Sequence, residues 1–390
     1  MDNYKHIATG KRLPAFWQSA HRHISVERYA AVEELWHIHE SALDYSIDSN
    51  HAGSTSLLDV KSEIASHMLE SCNLCEHRCG ANRQAGEVGI CGIRRDSHYF
   101  FEQILWGEEP PLVPSHEVFF SGCNLRCKFC YSWQSLQHSD LGDCVVPEDF
   151  AKLISARHAE GSINLNLIGG EPTCHLPTIL RTLQLLDTPV LIVWNSNFFM
   201  SNQTMRLLDG IVDLYLGDFK FGCNACAKDL GAVNGYVSIA KRNFKLAYES
   251  GDLIIRHLLL PGHIDCCLIP IAKWVSENLP GVPFNLMFQY TPYFGALDDP
   301  ALCRSLLPDE EKRALEIVES YGLNTRSWKK PLYAACCNDR SIGKGEISTT
   351  VTIRPDGRVG ILHLHSELLD VIRALECGGK HNGGTNQEIK

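Results

Sequence analysis

Three cysteines lie close together in the segment Gly122–Tyr131, which reads GCNLRCKFCY and follows an apolar stretch. Cys123, Cys127 and Cys130 have the spacing C-x3-C-x2-C. Three thiolates this close can hold a cubane iron–sulfur cluster and leave its fourth iron without a protein ligand, whereas a purely electron-carrying cluster normally has four thiolates. An open iron can coordinate a small molecule and pass it an electron. The loop is therefore a candidate reaction centre.

A zinc site is the alternative for this loop, because zinc knuckles use similar gaps between cysteines. A structural zinc ion, however, takes four closed ligands. No Cys or His follows Cys130 at knuckle spacing, although His138 or Cys144 further downstream could complete a tetrahedron. The spacing favours the iron–sulfur interpretation.

A second group of cysteines lies upstream, with the spacing C-x2-C-x3-C-x11-C. Four soft ligands within twenty residues can form a closed tetrahedral site. The segment is rich in glycine, so we expect it to need a metal for order. Zinc and a second iron–sulfur cluster fit the spacing equally well, and redox-active or unliganded thiols are a third reading. We favour a structural metal site formed by Cys72, Cys75, Cys79 and Cys91.

The remaining cysteine pairs carry weaker signals. Cys223 and Cys226 form a C-x2-C after a predicted strand, with no partner pair in the sequence. A third metal site or a redox pair is an alternative for these two residues, but we favour the interpretation that they are incidental thiols. Cys266 and Cys267 are adjacent in sequence and are predicted to be buried small apolar residues.

Composition limits the class of protein. The 390 residues carry a net charge of −10, which argues against general binding to nucleic acid or to anionic membranes. No apolar run of about 18 residues is present, so we expect a cytoplasmic protein. Seventeen cysteines clustered at metal-ligand spacings indicate bound metal in a reducing compartment and not a disulfide scaffold.

The elements that must position these groups alternate between strands and helices. Helical patterns near 148–160, 176–187, 201–209, 234–250, 267–279 and 309–321 separate or follow the β-rich runs. Such alternation specifies parallel strands joined by crossovers, so the sequence predicts an α/β fold with a partial (β/α)6 barrel and a site at the carboxyl ends of its strands. The predicted strands are His116–Ser121, Ile163–Ile168, Val190–Asn195, Val212–Asp218, Leu253–Leu260 and Phe284–Tyr290.

The flanking regions differ from this core. The pattern over Ser25–Ile47 and a cap at Ser54 predict two helices at the N-terminal side. Thr349–Ile353 and Val359–His363 read as the arms of a β-hairpin. The predicted organisation is a helical extension (1–71), a Cys-rich metal-binding segment (72–105), the partial barrel (106–323), a C-terminal extension with the hairpin (324–377) and a disordered tail (378–390).

One further motif completes a known pattern. Gly169-Gly-Glu-Pro follows the second predicted strand, where two glycines let a ligand approach the backbone and Glu171 offers a carboxylate to an ammonium group. With Phe129 before the third cysteine, the loop has the form CxxxCxΦC and resembles the radical S-adenosylmethionine (radical SAM) superfamily. The resemblance implies that the open iron of a [4Fe–4S] cluster chelates SAM and that an electron cleaves it to a hydrogen-abstracting 5′-deoxyadenosyl radical.

The same resemblance implies SAM-binding roles. Gly169, Gly170 and Glu171 match the motif that contacts the methionine amino group, and Phe129 would pack near the adenine.

Within the superfamily, residues 72–325 look like uncharacterised homologues of pyruvate formate-lyase activating enzyme. Asp218 and Lys220 match a D-x-K strand end that lies beside SAM, and Asn195 stands where the activating enzymes carry an acidic residue. This likeness implies an oxidoreductase that generates a glycyl radical on a partner enzyme and takes electrons from a flavodoxin or ferredoxin.

Four residues at predicted strand ends are candidates for a substrate pocket: Arg256, His257, Gln289 and Tyr290. Radical modification of a small metabolite or a peptide is the alternative to glycyl-radical activation. A non-catalytic iron–sulfur or zinc protein that carries electrons or binds a partner is the alternative from another class.

Overall fold

A computed structural model describes residues 1–24, 31–44 and 55–325, together with two short strands between 351 and 361. The chain divides into two compact units, Met1–Lys330 and Pro331–Lys390. Throughout the described parts, no helix combines the length and the apolar composition needed to cross a membrane.

A mostly parallel sheet forms the centre of the first unit. In the described residues, the strands are β1 (His23–Ile24), β2 (Thr55–Ser56), β3 (His98–Leu105), β4 (Ser115–Phe120), β5 (Asp143–Cys144), β6 (Asn164–Gly169), β7 (Leu191–Ser196), β8 (Leu214–Asp218), β9 (Asp252–Leu258), β10 (Phe284–Met287), β11 (Val351–Ile353) and β12 (Val359–Ile361). The strand order in the central sheet is β10-β9-β8-β7-β6-β4-β3-β5, and the six strands from β10 to β4 in this order run parallel.

The α/β fold predicted from strand–helix alternation is confirmed. Each of the six predicted strands overlaps one of the parallel strands, and the ladder stays open between its edge strands β10 and β5 among the described residues. The antiparallel strand β3 lies at the end of the predicted Cys-rich segment (72–105), where no strand was predicted, and it pairs with both β4 and β5. The last parallel strand is shorter than predicted, because β10 ends at Met287.

Helices cover the outer face of this sheet. The helices of the described residues are α1 (Asp2–Ala8), α2 (Ala15–Ala20), α3 (Val32–Asp44), α4 (Leu57–His67), α5 (Trp133–Gln137), α6 (Pro147–Ala159), α7 (Leu176–Leu185), α8 (Asn202–Leu208), α9 (Asn224–Gly231), α10 (Tyr236–Ser250), α11 (Ile269–Asn278) and α12 (Pro308–Ser320). The six helical stretches predicted for the barrel correspond to α6, α7, α8, α10, α11 and α12.

The start of α4 differs from the prediction by two residues. Ser56, and not Ser54, is the N-cap: its hydroxyl accepts from the Asp59 N–H at 3.1 Å, and the Asp59 carboxylate accepts from the Ser56 N–H at 2.7 Å. This reciprocal pair is a capping box, which satisfies two backbone donors at once.

The inner face of the sheet has its own small core, closed at the amino ends of the strands by α1. The Tyr4 N–H donates to the Asp252 carboxylate at 2.6 Å, and the Met1 amino group binds the same carboxylate at 2.9 Å. The buried apolar residues of this core are Tyr4, Leu112, Leu191, Val193, Leu214, Leu216 and Ile254. The carboxyl ends of the strands therefore remain the accessible end of the inner face.

In the second unit, β11 and β12 pair antiparallel, with Val351 opposite Ile361, as the predicted hairpin requires. The turn predicted at 355–357 and the tail at 378–390 lie outside the described residues.

Candidate active site

The cysteine loop follows β4 directly and is fixed through its backbone. The N–H groups of Arg126 and Lys128 donate to the carbonyls of Gly231 and Leu230 at 2.9 and 2.8 Å, at the end of α9. From the other side, the Lys128 carbonyl accepts from the Ala296 N–H at 2.9 Å. Two separate parts of the chain thus hold the loop in one conformation.

The three loop thiols share an environment that disfavours free thiolates. Cys123 and Cys127 are buried, and Cys130 is nearly so. Burial raises the pKa of all three, that of Cys127 to about 12 despite the nearby Lys220 ammonium. Repulsion from Cys127 and Cys130 raises the pKa of Cys123 further. A bound metal removes this penalty, because coordination deprotonates thiols and neutralises their charge.

The spacing of these thiols suits a cluster better than a single ion. A tetrahedral zinc ion with Zn–S bonds of 2.3 Å places its sulfurs about 3.8 Å apart. Among the described residues, Cys123, Cys127 and Cys130 belong to no group of ligand atoms within 4.8 Å of one another, whereas cluster thiolates bind different irons and lie further apart. Cys144, one proposed fourth ligand, is exposed on edge strand β5. Three soft donors without a fourth therefore fit a [4Fe–4S] cluster with one open iron.

The two glycines of the Gly-Gly-Glu motif pack against the cysteine loop itself. The Gly170 N–H donates to the Phe120 carbonyl at 2.7 Å. A Cβ on Gly170 would lie 1.9 Å from the Gly122 carbonyl oxygen, and one on Gly169, whose φ is +115°, would lie 2.1 Å from the Phe120 nitrogen. The sequence predicted close approach of a ligand here. The immediate neighbour is the chain's own backbone, and only glycine fits.

Glu171 connects the loops after β6 and β7. One of its carboxylate oxygens accepts from the Thr173 and Ser196 hydroxyls at 2.5 and 2.8 Å, and the other accepts from the Asn197 N–H at 2.9 Å. Burial raises the pKa of Glu171, and these donors oppose that rise. The side chain thus holds the two loops that flank the cysteines, and its contact with SAM stays a prediction.

The end of β7 supplies amide groups next to the loop. Asn195 is buried, and its side-chain nitrogen has no hydrogen-bond partner within the described structure. Asn197, which the sequence did not single out, donates to the Asn124 side chain at 2.7 Å and approaches the Cys123 sulfur at 3.7 Å. An unpartnered buried donor is costly, and the Asn195 amide nitrogen is available to pair with a bound ligand. A position at the end of a predicted strand is the sequence signal that identified Asn195 and that could have identified Asn197 as well.

Asp218 and Lys220 form an ion pair beside the loop, with the Lys220 ammonium 2.7 Å from the carboxylate. Burial disfavours the charged lysine, but attraction to Asp218 and Cys127 outweighs it and raises the pKa of Lys220. The Tyr236 hydroxyl lies 3.0 Å from the carbonyl oxygens of Asn197 and Asp218. These contacts keep a positive charge at the edge of the cysteine site.

Arg256 binds carboxylates of the protein itself. Its guanidinium donates twice to Glu109, at 2.7 and 2.5 Å, and also pairs with Glu108. The Asn285 amide donates to Glu109 at 2.7 Å. Both glutamates are buried and precede the predicted barrel strands, so sequence periodicity gave no signal for them. The Arg256 guanidinium on the inner face of the sheet is therefore already paired with carboxylates of the protein itself.

Glu117 is a further buried carboxyl group, and it lies near enough to Glu109 to feel its charge. Its β4 position is paired with Asn166 of β6, whose side-chain oxygen has no hydrogen-bond partner within the described residues. Burial, and then repulsion from Glu109, raise the pKa of Glu117 to about 8. We refer to Glu108, Glu109, Glu117, Asn166 and Arg256 as the inner polar patch.

The other predicted pocket residues lie elsewhere. His257 alternates with Arg256 along β9, and its ring contacts the Phe219 carbonyl at 2.7 Å, so its orientation does not support substrate contact at the inner polar patch. Gln289 is exposed beyond the end of β10. Tyr290 is buried and donates to the Leu302 carbonyl at 2.7 Å. Phe129 packs edge-on against Phe221, at 6.1 Å between ring centroids; its place near the adenine stays a prediction.

Burial raises the pKa of Cys75 to about 12, and repulsion from Cys91, Cys72 and Cys79 adds to the rise. Among the described residues, no three of these four sulfurs lie within 4.8 Å of one another. A fifth cysteine, Cys174, hydrogen-bonds Cys91 and, with help from Arg83, lowers the pKa of Cys91 to about 6. Sequence reasoning missed Cys174 because it lies far from the motif.

Arg83 completes this second group. It is buried, donates to the Cys174 carbonyl at 3.0 Å and lies 3.8 Å from the Cys72 sulfur. A buried guanidinium beside several thiols suits a site whose sulfurs carry negative charge.

This upstream segment packs directly on the cysteine loop. The His77 ring lies 2.6 Å from the Asn124 carbonyl, and Cys75 forms an antiparallel bridge with Met200 after β7. The Cys91 carbonyl lies so near Gly122 that a Cβ there would be 3.0 Å away. The two cysteine groups are therefore neighbours.

Two comparisons with known proteins identify the family. The family model described as "Radical SAM superfamily" matches residues 118–275, which include the cysteine loop and the Gly-Gly-Glu motif. An uncharacterized protein of Methanocaldococcus jannaschii is 41% identical over 315 residues, covering 77% of this chain and 92% of that protein. The chain belongs to the radical SAM superfamily. Its cofactors are accordingly a [4Fe–4S] cluster and SAM.

Several solved structures resemble the chain at low identity. Streptococcus suis SuiB bound to S-adenosylmethionine is 16% identical, with 51% of this chain and 45% of that chain covered and a TM-score of 0.38. SuiB bound to precursor peptide SuiA is 14% identical, with 74% and 57% covered and a TM-score of 0.39. HydG, a maturase of the [FeFe]-hydrogenase, is 12% identical, with 74% and 62% covered and a TM-score of 0.39. The chain spans roughly half of the SuiB length.

Proposed function

We propose that this radical SAM enzyme abstracts a hydrogen atom from a substrate that carries an amine or guanidinium group and binds at the inner polar patch. Cys123, Cys127 and Cys130 would hold the cluster. When bound, the cluster supplies the electron that cleaves SAM into methionine and the 5′-deoxyadenosyl radical. That electron would come from a flavodoxin- or ferredoxin-type reductant. The hydrogen atom would pass from the substrate to the 5′-deoxyadenosyl radical, which becomes 5′-deoxyadenosine and leaves a substrate radical.

The residues next to the loop would bind and orient SAM. Asn195 offers an unpartnered amide nitrogen, and Lys220 keeps a positive charge beside the cysteines. Glu171 and the backbone of Gly169 and Gly170 hold the loop that, in the superfamily motif, faces the methionine amino group. The chain's own contribution is thus to fix the positions of SAM and substrate and to exclude water, which protects a reactive intermediate.

Glu117 is the observation that carries the substrate class. A buried carboxyl group is unfavourable in its charged form unless a positive group pairs with it. Glu108 and Glu109 share the single guanidinium of Arg256, and Glu117 is buried near Glu109 without a cation of its own among the ion pairs of the described residues, so the patch suits one more positive charge. An ammonium group would lower the pKa of Glu117 and pair with it.

The test is hydrogen transfer in a reconstituted, anaerobic reaction. Reduced holoenzyme and SAM would be incubated with amine metabolites and Lys- or Arg-containing peptides, and 5′-deoxyadenosine would be quantified. We expect at least a tenfold stimulation by a cationic compound, with deuterium moving from the labelled compound into 5′-deoxyadenosine. N-acetylated versions of the same compounds are the control. Equal stimulation by the acetylated compounds, or none by any cation, would refute the proposal.

The same reaction distinguishes glycyl-radical-enzyme activation, which the resemblance to the activating enzymes implies. In that case, only an added partner protein would stimulate turnover, and electron paramagnetic resonance would detect a glycyl radical on it. The structure would then have to accept a polypeptide loop at the inner polar patch, and Glu117→Gln would leave turnover unchanged.

A further inference from the structure

Four potential metal ligands meet at a place that neither cysteine group described above includes. The ligand atoms of Cys226, His263, Cys266 and Cys267 all lie within 4.8 Å of one another. The Cys226 sulfur is 3.5 Å from both the Cys266 sulfur and the His263 Nδ1, and that nitrogen is 3.2 Å from the Cys266 sulfur. The sequence led us to treat these cysteines as incidental or apolar. Their convergence supports the metal-site alternative that the sequence left open for Cys226.

The separations match one small ion. Zn–S bonds of 2.3 Å and Zn–N bonds of about 2.0 Å in a tetrahedron place sulfur atoms about 3.8 Å apart and sulfur about 3.5 Å from nitrogen. The distances among Cys226, His263 and Cys266 lie within a few tenths of an ångström of these values, and the Cys267 sulfur lies within 4.8 Å of each of these atoms.

Two loops at the carboxyl ends of neighbouring strands supply the ligands. Cys226 lies in the first turn of α9, after β8, and the other three lie after β9. Ile264–Leu268 is a π-helical turn, with the Leu268 N–H donating to the His263 carbonyl at 3.3 Å. Such turns are rare in proteins, and those that occur often lie at functional sites. This one carries the adjacent Cys266 and Cys267.

Close backbone packing brings these loops together. A Cβ on Gly222 would lie 2.3 Å from the Cys267 carbonyl oxygen, so only glycine allows the approach. Cys267 is buried, while His263 and Cys266 are half-buried. The site therefore has a solvent-facing side through which an ion can enter.

We propose that Cys226, His263, Cys266 and Cys267 bind one zinc-class divalent ion in a closed Cys₃His site. Soft thiolate and imidazole ligands select such an ion, and four protein ligands are typical of a structural site. The ion would join the loops after β8 and β9.

The proposed ion has a mechanical link to the cysteine loop. It would fix the first turn of α9, and the last turn of the same helix accepts the N–H groups of Arg126 and Lys128. The Lys128 ammonium also binds Asp229 of α9 at 2.8 Å. Metal binding at one end of α9 would thus stabilise the loop at its other end. This role is separate from the radical reaction and does not depend on the proposed substrate.

Metal analysis tests the site directly. Full-length wild type and Cys226→Ser/Cys266→Ser would be purified anaerobically, reconstituted with iron, sulfide and zinc, and analysed for each metal per chain. We expect the double variant to lose one equivalent of zinc and to keep its iron. Cys144→Ser/Cys303→Ser, in which both cysteines are exposed, is the matched control and should keep both metals. Unchanged zinc in the Cys226→Ser/Cys266→Ser protein, or loss of iron in place of zinc, would overturn the proposal.

A second variant covers the case in which the double variant does not fold. His263→Cys replaces one zinc ligand by another and should retain the ion. After cobalt substitution, its thiolate-to-cobalt absorption should increase relative to wild type, because four sulfurs replace three. Retained metal with an identical cobalt spectrum would show that His263 is not a ligand and would contradict the Cys₃His assignment.

Discussion

Glu171 illustrates how a single side chain organises the site. Its carboxylate accepts hydrogen bonds from the loops after both β6 and β7, and it is buried. The sequence motif predicted this residue but assigned it only to SAM. Asn197 and Tyr236, which complete the same network, have no motif and become visible only once the strand ends are assembled.

Replacing Glu171 by Gln should therefore weaken folding as well as SAM binding. In the wild type, the Glu171 carboxylate oxygens accept from the Ser196 hydroxyl and the Asn197 N–H. In the variant, an NH₂ group, which is itself a donor, would replace one of these oxygens and leave a donor without its acceptor. Leaving buried donors unsatisfied costs on the order of 1–3 kcal/mol each, so we expect a loss of about this size in the free energy of unfolding measured with urea. Glu249→Gln, on the surface, should change it by less than about 0.5 kcal/mol. Equal stability of the two variants would contradict the role of the network.

Glu117 makes a pH-dependent contribution. Because burial raises its pKa to about 8, the folded protein holds this proton more tightly than the unfolded chain, whose Glu titrates near 4.3. Its contribution to stability is complete below about pH 4 and is lost as the pH rises through about 8. Urea unfolding from pH 5 to 9 should show a smaller decline for Glu117→Gln than for wild type. Parallel curves would contradict this assignment, and Glu277→Gln on the surface is the control.

At the scale of elements, the parallel strands were predictable because strand–helix alternation has a clear period. The antiparallel strands β3 and β5 were not, because they add to the sheet edge through pairings that no local pattern specifies. The same limit applies to the Cys226, His263, Cys266 and Cys267 group, which joins two loops about 40 residues apart. Sequence spacing detects ligands within one loop, and only the fold brings the ends of two strands together.

The contact between the cysteine loop and the Gly-Gly-Glu loop depends on the absence of one Cβ. Gly170→Ala would place that atom 1.9 Å from the Gly122 carbonyl oxygen and force the two loops apart. We expect a loss of roughly 1–3 kcal/mol in stability from overpacking and less iron bound after reconstitution. Gly107→Ala is the control, because nothing lies within 4 Å of a Cβ there. Normal stability and iron content in the Gly170 variant would show that the loops can separate freely.

At the scale of the whole molecule, the described residues place three cysteine groups around one side of the sheet. The upstream group packs on the cysteine loop through His77 and Cys91, while α9 connects the loop to the proposed zinc site. With the hydrogen bond from Ala296 to Lys128, three separate parts of the chain therefore hold the loop. The inner polar patch lies on the inner face of the same strands, away from the helical layer.

The upstream group should be structural. Substituting Cys72 and Cys75 by Ser should remove metal from that site and lower the melting temperature by several degrees, because binding energy at a structural metal site is folding energy. Counting iron and zinc separately in this variant would identify which metal it holds. If the variant melts like wild type but no longer cleaves SAM, the upstream group takes part in the reaction and the structural assignment is wrong.

The central claim is that Cys123, Cys127 and Cys130 hold a cluster whose open iron binds SAM. The most direct measurement is 5′-deoxyadenosine and methionine formed by reduced, reconstituted protein, together with the cluster's electron paramagnetic resonance spectrum before and after SAM is added. We predict that SAM shifts the spectrum and that the two products form in equal amounts. The triple Ala variant should lose one cluster and both products. An unshifted spectrum and no 5′-deoxyadenosine from a fully loaded wild-type protein would contradict the account.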